Sequence, residues 1–339
     1  MGQSISTTQF YLFGKRHCTA TGYTRHKLKK DYGPVQASAT VAIGADGADG
    51  SDLSGKVVMI TGSNSGIGKE LATYAATKKA KVYMLCRNAE RAEQARQDIL
   101  QKSGADDASV TTLLADVGVL SQVRKVVSDF QSMESKVDCL ICNAGVLLND
   151  REVTSEGNEV TFASHLLGGS YLLSTLLLPQ LKAAGDEARV IFVSSGGMYN
   201  TKFPEWESIS DEKKYDGNMA YAYAKRGQVL LAERYTREHP EVAWVSCHPG
   251  WTNTPAVDLA YGSSKKYLEP MRTIWEGAEG ICWLMSTARS SIESGSFYLD
   301  RKSQRKHISG PFMTDGSFTK NSEIEVDTLM ENLKKACSL

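Results

Sequence analysis

Tyr221 and Lys225 stand four residues apart in the stretch Met219 to Arg237, whose composition and length predict a helix. Residues i and i+4 share one helix face, so a phenol and an ammonium would lie a turn apart. A free tyrosine has a pKa of ~10 and is a poor acid–base group at neutral pH. An ammonium ~5 Å away, at an effective dielectric of ~20, favours the phenolate by ~3 kcal/mol, or about two pH units. The pair is therefore a candidate proton-exchange group for a reacting oxygen. Tyr223 and Lys225 are only two apart and point away from each other. A Tyr-x-x-x-Lys pair alone is most often a surface pair, so its meaning depends on what else the fold brings to it.

The element that must position it lies at Lys56 to Gly68. Val57 to Ile60 is an apolar, valine-rich run that reads as a buried parallel strand. Thr61-Gly62-Ser63-Asn64-Ser65-Gly66-Ile67-Gly68 follows at once, and then a helix-forming stretch with Ile67, Leu71 and Ala75 on one stripe. Strand, glycine turn and helix make a cradle in which backbone N–H groups and the helix dipole face an anion such as a dinucleotide diphosphate. Strand-like and helical segments then alternate. Strands are expected at Lys81 to Cys86, Val110 to Leu114, Val137 to Cys142, Arg189 to Val193, Ala243 to Cys247 and Gly295 to Leu299. Helices are expected at Ala89 to Gln101, Ser121 to Met133 with Ser121 as N-cap, Val160 to Leu181 ending near Pro179, and Ala278 to Met285. This alternation predicts an α/β fold: one doubly wound Rossmann-type parallel sheet with helices on both faces. Asn143-Ala144-Gly145, Ser195 and Pro249-Gly250-Trp251-Thr252-Asn253-Thr254 all fall at C-terminal strand ends, the binding edge of such sheets.

The composition is that of an ordinary globular chain: 339 residues, 41% apolar, 23% charged, with no net charge. Nothing in it points to nucleic acid. No run reaches the ~18 apolar residues of a membrane-spanning helix, and no signal-peptide core opens the chain. Seven scattered cysteines, including Cys139 and Cys142 in an apolar strand, read as core thiols rather than disulfides or a metal site. Met1-Gly2-Gln3-Ser4-Ile5-Ser6 fits the N-myristoylation pattern. Phe10, Tyr11, Leu12 and Phe13 follow, with Lys15, Arg16, Arg25, Lys27, Lys29 and Lys30 and no acid before Asp31. Residues 1–32 thus form either a lipidated, basic membrane anchor or a basic arm that packs on the domain. Residues 33–52, rich in Gly, Ala, Asp and Ser, read as a flexible linker. The catalytic domain is expected at 53–300 and a C-terminal extension at 301–339. There Ser322 and Glu325 form a capping box ahead of an amphipathic helix carrying Val326, Leu329, Met330 and Leu333.

With TGxxxGxG at Thr61–Gly68, NAG at Asn143–Gly145, Ser195, YxxxK at Tyr221–Lys225 and PG at Pro249–Gly250, the chain closely resembles the short-chain dehydrogenase/reductase family. The resemblance covers about residues 55–300. Within the family it is most similar to the member-twelve branch, through Ser194-Ser195-Gly196-Gly197-Met198, Lys225-Arg226, His248-Pro249-Gly250-Trp251 and Asp300-Arg301-Lys302. The resemblance implies an oxidoreductase that moves a hydride between nicotinamide and a carbonyl or alcohol. In it Tyr221 exchanges the proton, Lys225 also holds the nicotinamide ribose, and Ser195, favoured over Ser194, bonds the substrate oxygen. Asp116 and Val117 would meet the adenine, and Thr254 the carboxamide. Arg87, with no carboxylate before Glu90, points to NADP(H) over NAD(H). His165 stands where the family usually has an asparagine that holds water beside the lysine, with a one-residue ambiguity. It leaves open a nicotinamide-binding sensor with little turnover. Tyr261, Tyr267, Leu268 and Trp275 are expected to line a substrate cleft for a lipophilic molecule, and the polar connection from Ser195 to Tyr221 to be a surface excursion. A homodimer and a cytoplasmic, peripherally membrane-bound location are compatible with the resemblance.

Overall fold

The computed structural model describes residues 2–29, 51–209, 212, 215–255, 257–258, 262–308 and 318–339. Most of the expected linker, Lys30, Asp31, Asp211, Lys213, Lys214 and Tyr261 lie outside the described residues.

The strands are β1 Val57–Thr61, β2 Lys81–Cys86, β3 Val110–Leu114, β4 Cys139–Cys142, β5 Arg189–Val193, β6 Ala243–His248, β7 Phe297–Leu299 and β8 Lys302–Gln304. They form one eight-stranded sheet in the order β3-β2-β1-β4-β5-β6-β7-β8. All neighbours run parallel except β7 and β8, an antiparallel pair turned at Asp300 in a left-handed conformation (φ 57°). Alternate residues feed two apolar layers: Val57 and Met59 of β1 enter one, Val58 and Ile60 the other. Coverage on both faces is why the strands read as continuous apolar runs. From β1 the chain winds outward through β2 and β3, then crosses back to β4 and winds the other way. The crevice between β1 and β4, beyond their C-terminal ends, is thus the topological switch point.

Helices α3 Gly66–Thr77, α4 Ala89–Ser103 and α5 Leu120–Met133 follow the first three strands. Ser121 is not the N-cap of α5. Val119 holds that position, and the Glu156 carboxylate accepts from the N–H groups of Leu120 and Ser121 instead. The expected long helix at Val160 to Leu181 is broken. A short α6 (Val160–Phe162) widens into a π-helix at Ala163–Leu172, narrows to α7 (Leu173–Leu176), and stops at Leu177. A new helix, α8 Leu178–Ala183, begins with Pro179 in its first turn, where a missing N–H costs nothing. So Pro179 starts a helix rather than ending one. α9 spans Gly217–Glu238 and α10 Ile274–Ser286, which a Thr273–Glu276 capping box starts earlier than expected. α11, Glu323–Ala336, carries the expected Ser322–Glu325 capping box and buries Val326, Leu329 and Leu333 against the domain.

The N-terminal residues form a helical hairpin, α1 Gly2–His17 and α2 Ala20–Lys27. It is docked on the loop after β6: Trp251 N–H donates to Cys18 O (2.7 Å), and Arg272 Nε and Nη2 donate to Cys18 O (3.0 Å) and His17 O (2.9 Å). His26 and Arg272 both hold the Asp300 carboxylate. All seven cysteines are free and buried. Among the described residues no helix is long and apolar enough to cross a membrane, and no cluster of His, Cys, Asp and Glu could hold a metal ion.

Candidate active site

A cavity of about 730 Å³ opens at the switch point. Its lining gathers Gly62, Asn64, Ser65, Gly66, Ile67 and Gly68, Arg87, Asp116 and Val117, Asn143-Ala144-Gly145, His165, Ser195, Tyr221, Lys225, Pro249-Gly250-Trp251 and Thr254. Thr61 and Ser63 do not line it. They are fully buried beneath the turn: Thr61 Oγ1 accepts from Asn143 N–H (2.9 Å) and Ala144 N–H (2.8 Å), and Ser63 Oγ donates to Ile60 O (3.1 Å). The Thr61 bonds strap the β1 turn to the loop after β4 and the Ser63 bond closes the turn on β1, so two residues expected on the cofactor instead shape the cradle.

The turn needs its glycines. Gly62 and Gly66 adopt φ of 67° and 51°, which only glycine takes without strain. A Cβ on Gly68 would come within 2.3 Å of Gly62 O and 2.5 Å of Asn143 Nδ2. Ser65, the N-cap of α3, makes no side-chain capping bond, so the first N–H groups of that helix face the cavity uncapped.

At the other end of the cradle Arg87 is two-thirds exposed and lies 3.7 Å from Asp116 Oδ2. Asn88 and Arg91 line the cavity beside it, unanticipated by the sequence reading. Asn88 caps α4 through Arg91 N–H (2.8 Å), which sets Arg91 in the first turn of that helix.

The reaction end is built on α9 and β5. Lys225 Nζ lies 5.4 Å from the centre of the Tyr221 ring and donates to Val193 O (2.6 Å). Burial, opposed by Cys247 and Cys142, draws the Lys225 ammonium down to about 7. The full positive charge assumed from the spacing is therefore partly lost at neutral pH in the unliganded site. Ser194 donates to Lys225 O (2.8 Å) and is committed to the helix, whereas Ser195 Oγ on the cavity only accepts from Gly197 N–H (3.2 Å). Tyr223 does not line the cavity.

His165 sits in the π-helix, a widened turn of the kind found at functional sites. Its ring meets Tyr221 edge-on at 5.2 Å, and its Nε2 lies 2.7 Å from Val146 O. Among the described residues Nδ1 has no hydrogen-bond partner. Burial, then the nearby Lys225, lowers the imidazole well below its ordinary range, so it is neutral. A Cβ on Gly145 would fall 1.7 Å from His165 Cε1, so the glycine after Asn143-Ala144 makes room for this ring. His248, at the end of β6, is buried with both ring nitrogens unbonded, and burial lowers it to about 3.

The substrate side differs from expectation. Leu268 lines the cavity, but Tyr267 is 58% exposed and absent from the lining. Trp275 packs behind, against Tyr74. The start of the connection after Ser195 is buried rather than a surface excursion, with Met198, Tyr199 and Phe203 inside. Thr7, Phe10 and Tyr11 of α1 complete the lining.

The short chain dehydrogenase family model matches residues 56–261. The chain belongs to the short chain dehydrogenase family. It is accordingly an oxidoreductase acting on CH–OH groups. It is 38% identical over 324 residues to dehydrogenase/reductase SDR family member 12 of Homo sapiens, covering 95% of this chain and 94% of that protein. It is 30% identical over 255 residues to retinol dehydrogenase 11 of Mus musculus, covering 73% and 78%. Among solved structures, a short chain dehydrogenase from Escherichia coli CFT073, complexed with NADPH, superposes with a TM-score of 0.58 at 21% identity, covering 73% of this chain and 96% of that one. This likeness establishes the fold.

Proposed function

We propose that the protein uses NADP(H) to interconvert a lipophilic carbonyl compound and its alcohol, with Tyr221 exchanging the proton at the substrate oxygen. One observation carries the reading: Tyr221, Lys225 and Ser195 share a cavity with the uncapped N-terminus of α3 and with Arg87 and Arg91. The cradle fits a dinucleotide, because a Cβ at Gly68 would strike the turn that the open N–H groups surround. Gly62 and residues 64–68 would hold the diphosphate, Asp116 and Val117 the adenine, and Arg87 with Arg91 a 2′-phosphate. Asn143-Ala144-Gly145, Lys225, Pro249, Gly250, Trp251 and Thr254 would hold the nicotinamide half. Solved relatives carrying NADPH and NADP support this choice.

When bound, the nicotinamide supplies the hydride. The chain's own residues do the rest. Ser195 Oγ orients the substrate oxygen. Tyr221 gives that oxygen a proton on reduction and takes it back on oxidation. Lys225, when charged, stabilises the phenolate that Tyr221 becomes. His165, neutral and with Nδ1 unbonded, holds water beside Lys225 so that Tyr221 can be reprotonated. The names of retinol dehydrogenase relatives and the aromatic side of the cavity support a lipophilic substrate.

The test is NADPH oxidation against a carbonyl panel, with Tyr221→Phe as control. The variant should keep its NADPH affinity and lose roughly 10²–10⁴-fold in kcat. Undiminished turnover in Tyr221→Phe would refute the assignment. A wild type that binds NADPH and reduces nothing would favour the sensor reading. Peripheral membrane attachment through acylated Gly2 is supported by Leu12 and Leu28, 64% and 81% exposed on the same hairpin as Lys15, Arg16, Arg25, Lys27 and Lys29. An unchanged membrane fraction for Gly2→Ala would refute the lipid.

A further inference from the structure

We infer that α1 is the specificity-determining wall of the substrate site, with Phe10 and Tyr11 selecting extended apolar or aromatic carbonyl compounds over short aliphatic ones. This rests on the reading of the cavity as a carbonyl reductase site.

The wall comes from outside the region that the family model matches. The family match begins at residue 56, yet Thr7, Phe10 and Tyr11 line the same cavity as Ser195 and Tyr221. Phe10 reaches the reaction end. A Cβ on Gly196, the residue after Ser195, would lie 2.4 Å from Phe10 Cε2 and Cζ. The Phe10 ring also meets Trp251 edge-on at 6.3 Å, and Tyr11 meets Trp251 at 6.0 Å. Three aromatic rings thus stand together, two from α1 and one from the loop after β6, and aromatic faces and edges hold flat apolar ligands best. Leu268 and Met271, also beyond the family match, line the same cavity and contribute no charge.

The helix is fixed in this place. A Cβ on Gly14 would fall 2.1 Å from Trp251 Cζ2, so the indole packs directly on the helix backbone. Lys15 Nζ donates to Glu269 O (2.6 Å), and Tyr11 OH to Tyr267 O (3.3 Å). Phe13 packs on Tyr199, whose ring also meets Phe10 and Phe297. The hairpin therefore bridges the turn after Ser195 and the loop after β6. A wall held on both flanks keeps one shape, which is what discrimination between ligands needs.

The experiment uses the full chain with naphthaldehyde and butanal as probes. Binding is measured by calorimetry and turnover by NADPH oxidation, for wild type, Phe10→Ala, Tyr11→Ala and Gly14→Val. The last forces the helix and Trp251 apart while leaving Phe10 and Tyr11 themselves unsubstituted. Phe10→Ala and Gly14→Val should each lower the naphthaldehyde-to-butanal ratio of kcat/KM, and of affinity, at least tenfold. Tyr11→Ala should lower it less, and NADPH affinity should stay within twofold in Phe10→Ala and Tyr11→Ala. Ratios unchanged in both Phe10→Ala and Gly14→Val, or an equal loss for both probes, would overturn the inference. The binding arm separates it from the proposed function. Loss of the affinity ratio with no turnover in the wild type would sink the reductase reading and leave the wall standing.

Discussion

Replacing Lys225 by methionine should stabilise the unliganded protein at pH 7 while abolishing its activity. The side chain is buried, and its ammonium is drawn from 10.5 to about 7. For a base whose folded pKa is depressed, the folded state binds fewer protons than the unfolded chain between those two values. Its penalty on stability is full below the folded pKa and is relieved as pH rises toward the unfolded one. At ~1.4 kcal/mol per tenfold, the gap corresponds to about 4 kcal/mol of penalty at pH 7 and about 1 kcal/mol at pH 10. Methionine is similar in length and carries no charge. It leaves Val193 O without its 2.6 Å donor, at a cost of ~1–2 kcal/mol. The variant should therefore be more stable than wild type by about 2–3 kcal/mol at pH 7. That advantage should shrink by about 3 kcal/mol on going to pH 10 and end near or below zero. Urea denaturation of both proteins without nucleotide, at half-unit pH steps, measures it; taking the difference cancels the titrating groups that are not coupled to Lys225. A difference that stays constant from pH 7 to pH 10 would refute the reasoning, whatever its sign.

Other outcomes follow from the same geometry. Arg87→Ala combined with Arg91→Ala should cut the NADPH-to-NADH affinity ratio by roughly 10–100-fold, since charge-assisted bonds contribute ~1.5–3 kcal/mol; fluorescence titration with both nucleotides reads it. Gly145→Ala drives a Cβ to 1.7 Å from His165 Cε1 and should destabilise by ~1–3 kcal/mol, an effect that His165→Ala in the same chain relieves in thermal melts. Asp300→Asn breaks a buried pair with Arg272 and His26 and should cost roughly 3–5 kcal/mol in denaturant unfolding. Burial alone would raise Asp300, but His26 and Arg272 together hold it below the usual carboxylate range. Its contribution is thus present above the unfolded value and lost as pH falls through the folded one. The wild type should accordingly lose more stability than Asp300→Asn below about pH 4.

What the sequence determined by itself is local or periodic. Strand β1, the glycine turn and α3 were legible because an apolar run, three glycines and a four-residue stripe each act over a few bonds. Tyr221 and Lys225 share a face because helix geometry demands it, and the order of strand ends brought Asn143, Ser195 and Pro249 to one edge. Only the tertiary structure decided the rest. Thr61 lies inside the turn because its hydroxyl satisfies backbone N–H groups after β4, partners far along the chain, and Ser63 because its hydroxyl closes the turn onto Ile60 O. The π-helix that carries His165 depends on Gly168 and Gly169, where a Cβ would meet Val117 O at 2.0 Å and Ser164 O at 1.8 Å. The place of α1 was hidden for a physical reason. Phe10 to Phe13 are four consecutive apolar or aromatic residues, so they spread around the helix instead of forming a stripe. Which of them faces the cavity was settled by Gly14 meeting Trp251, a contact between residues far apart in the sequence.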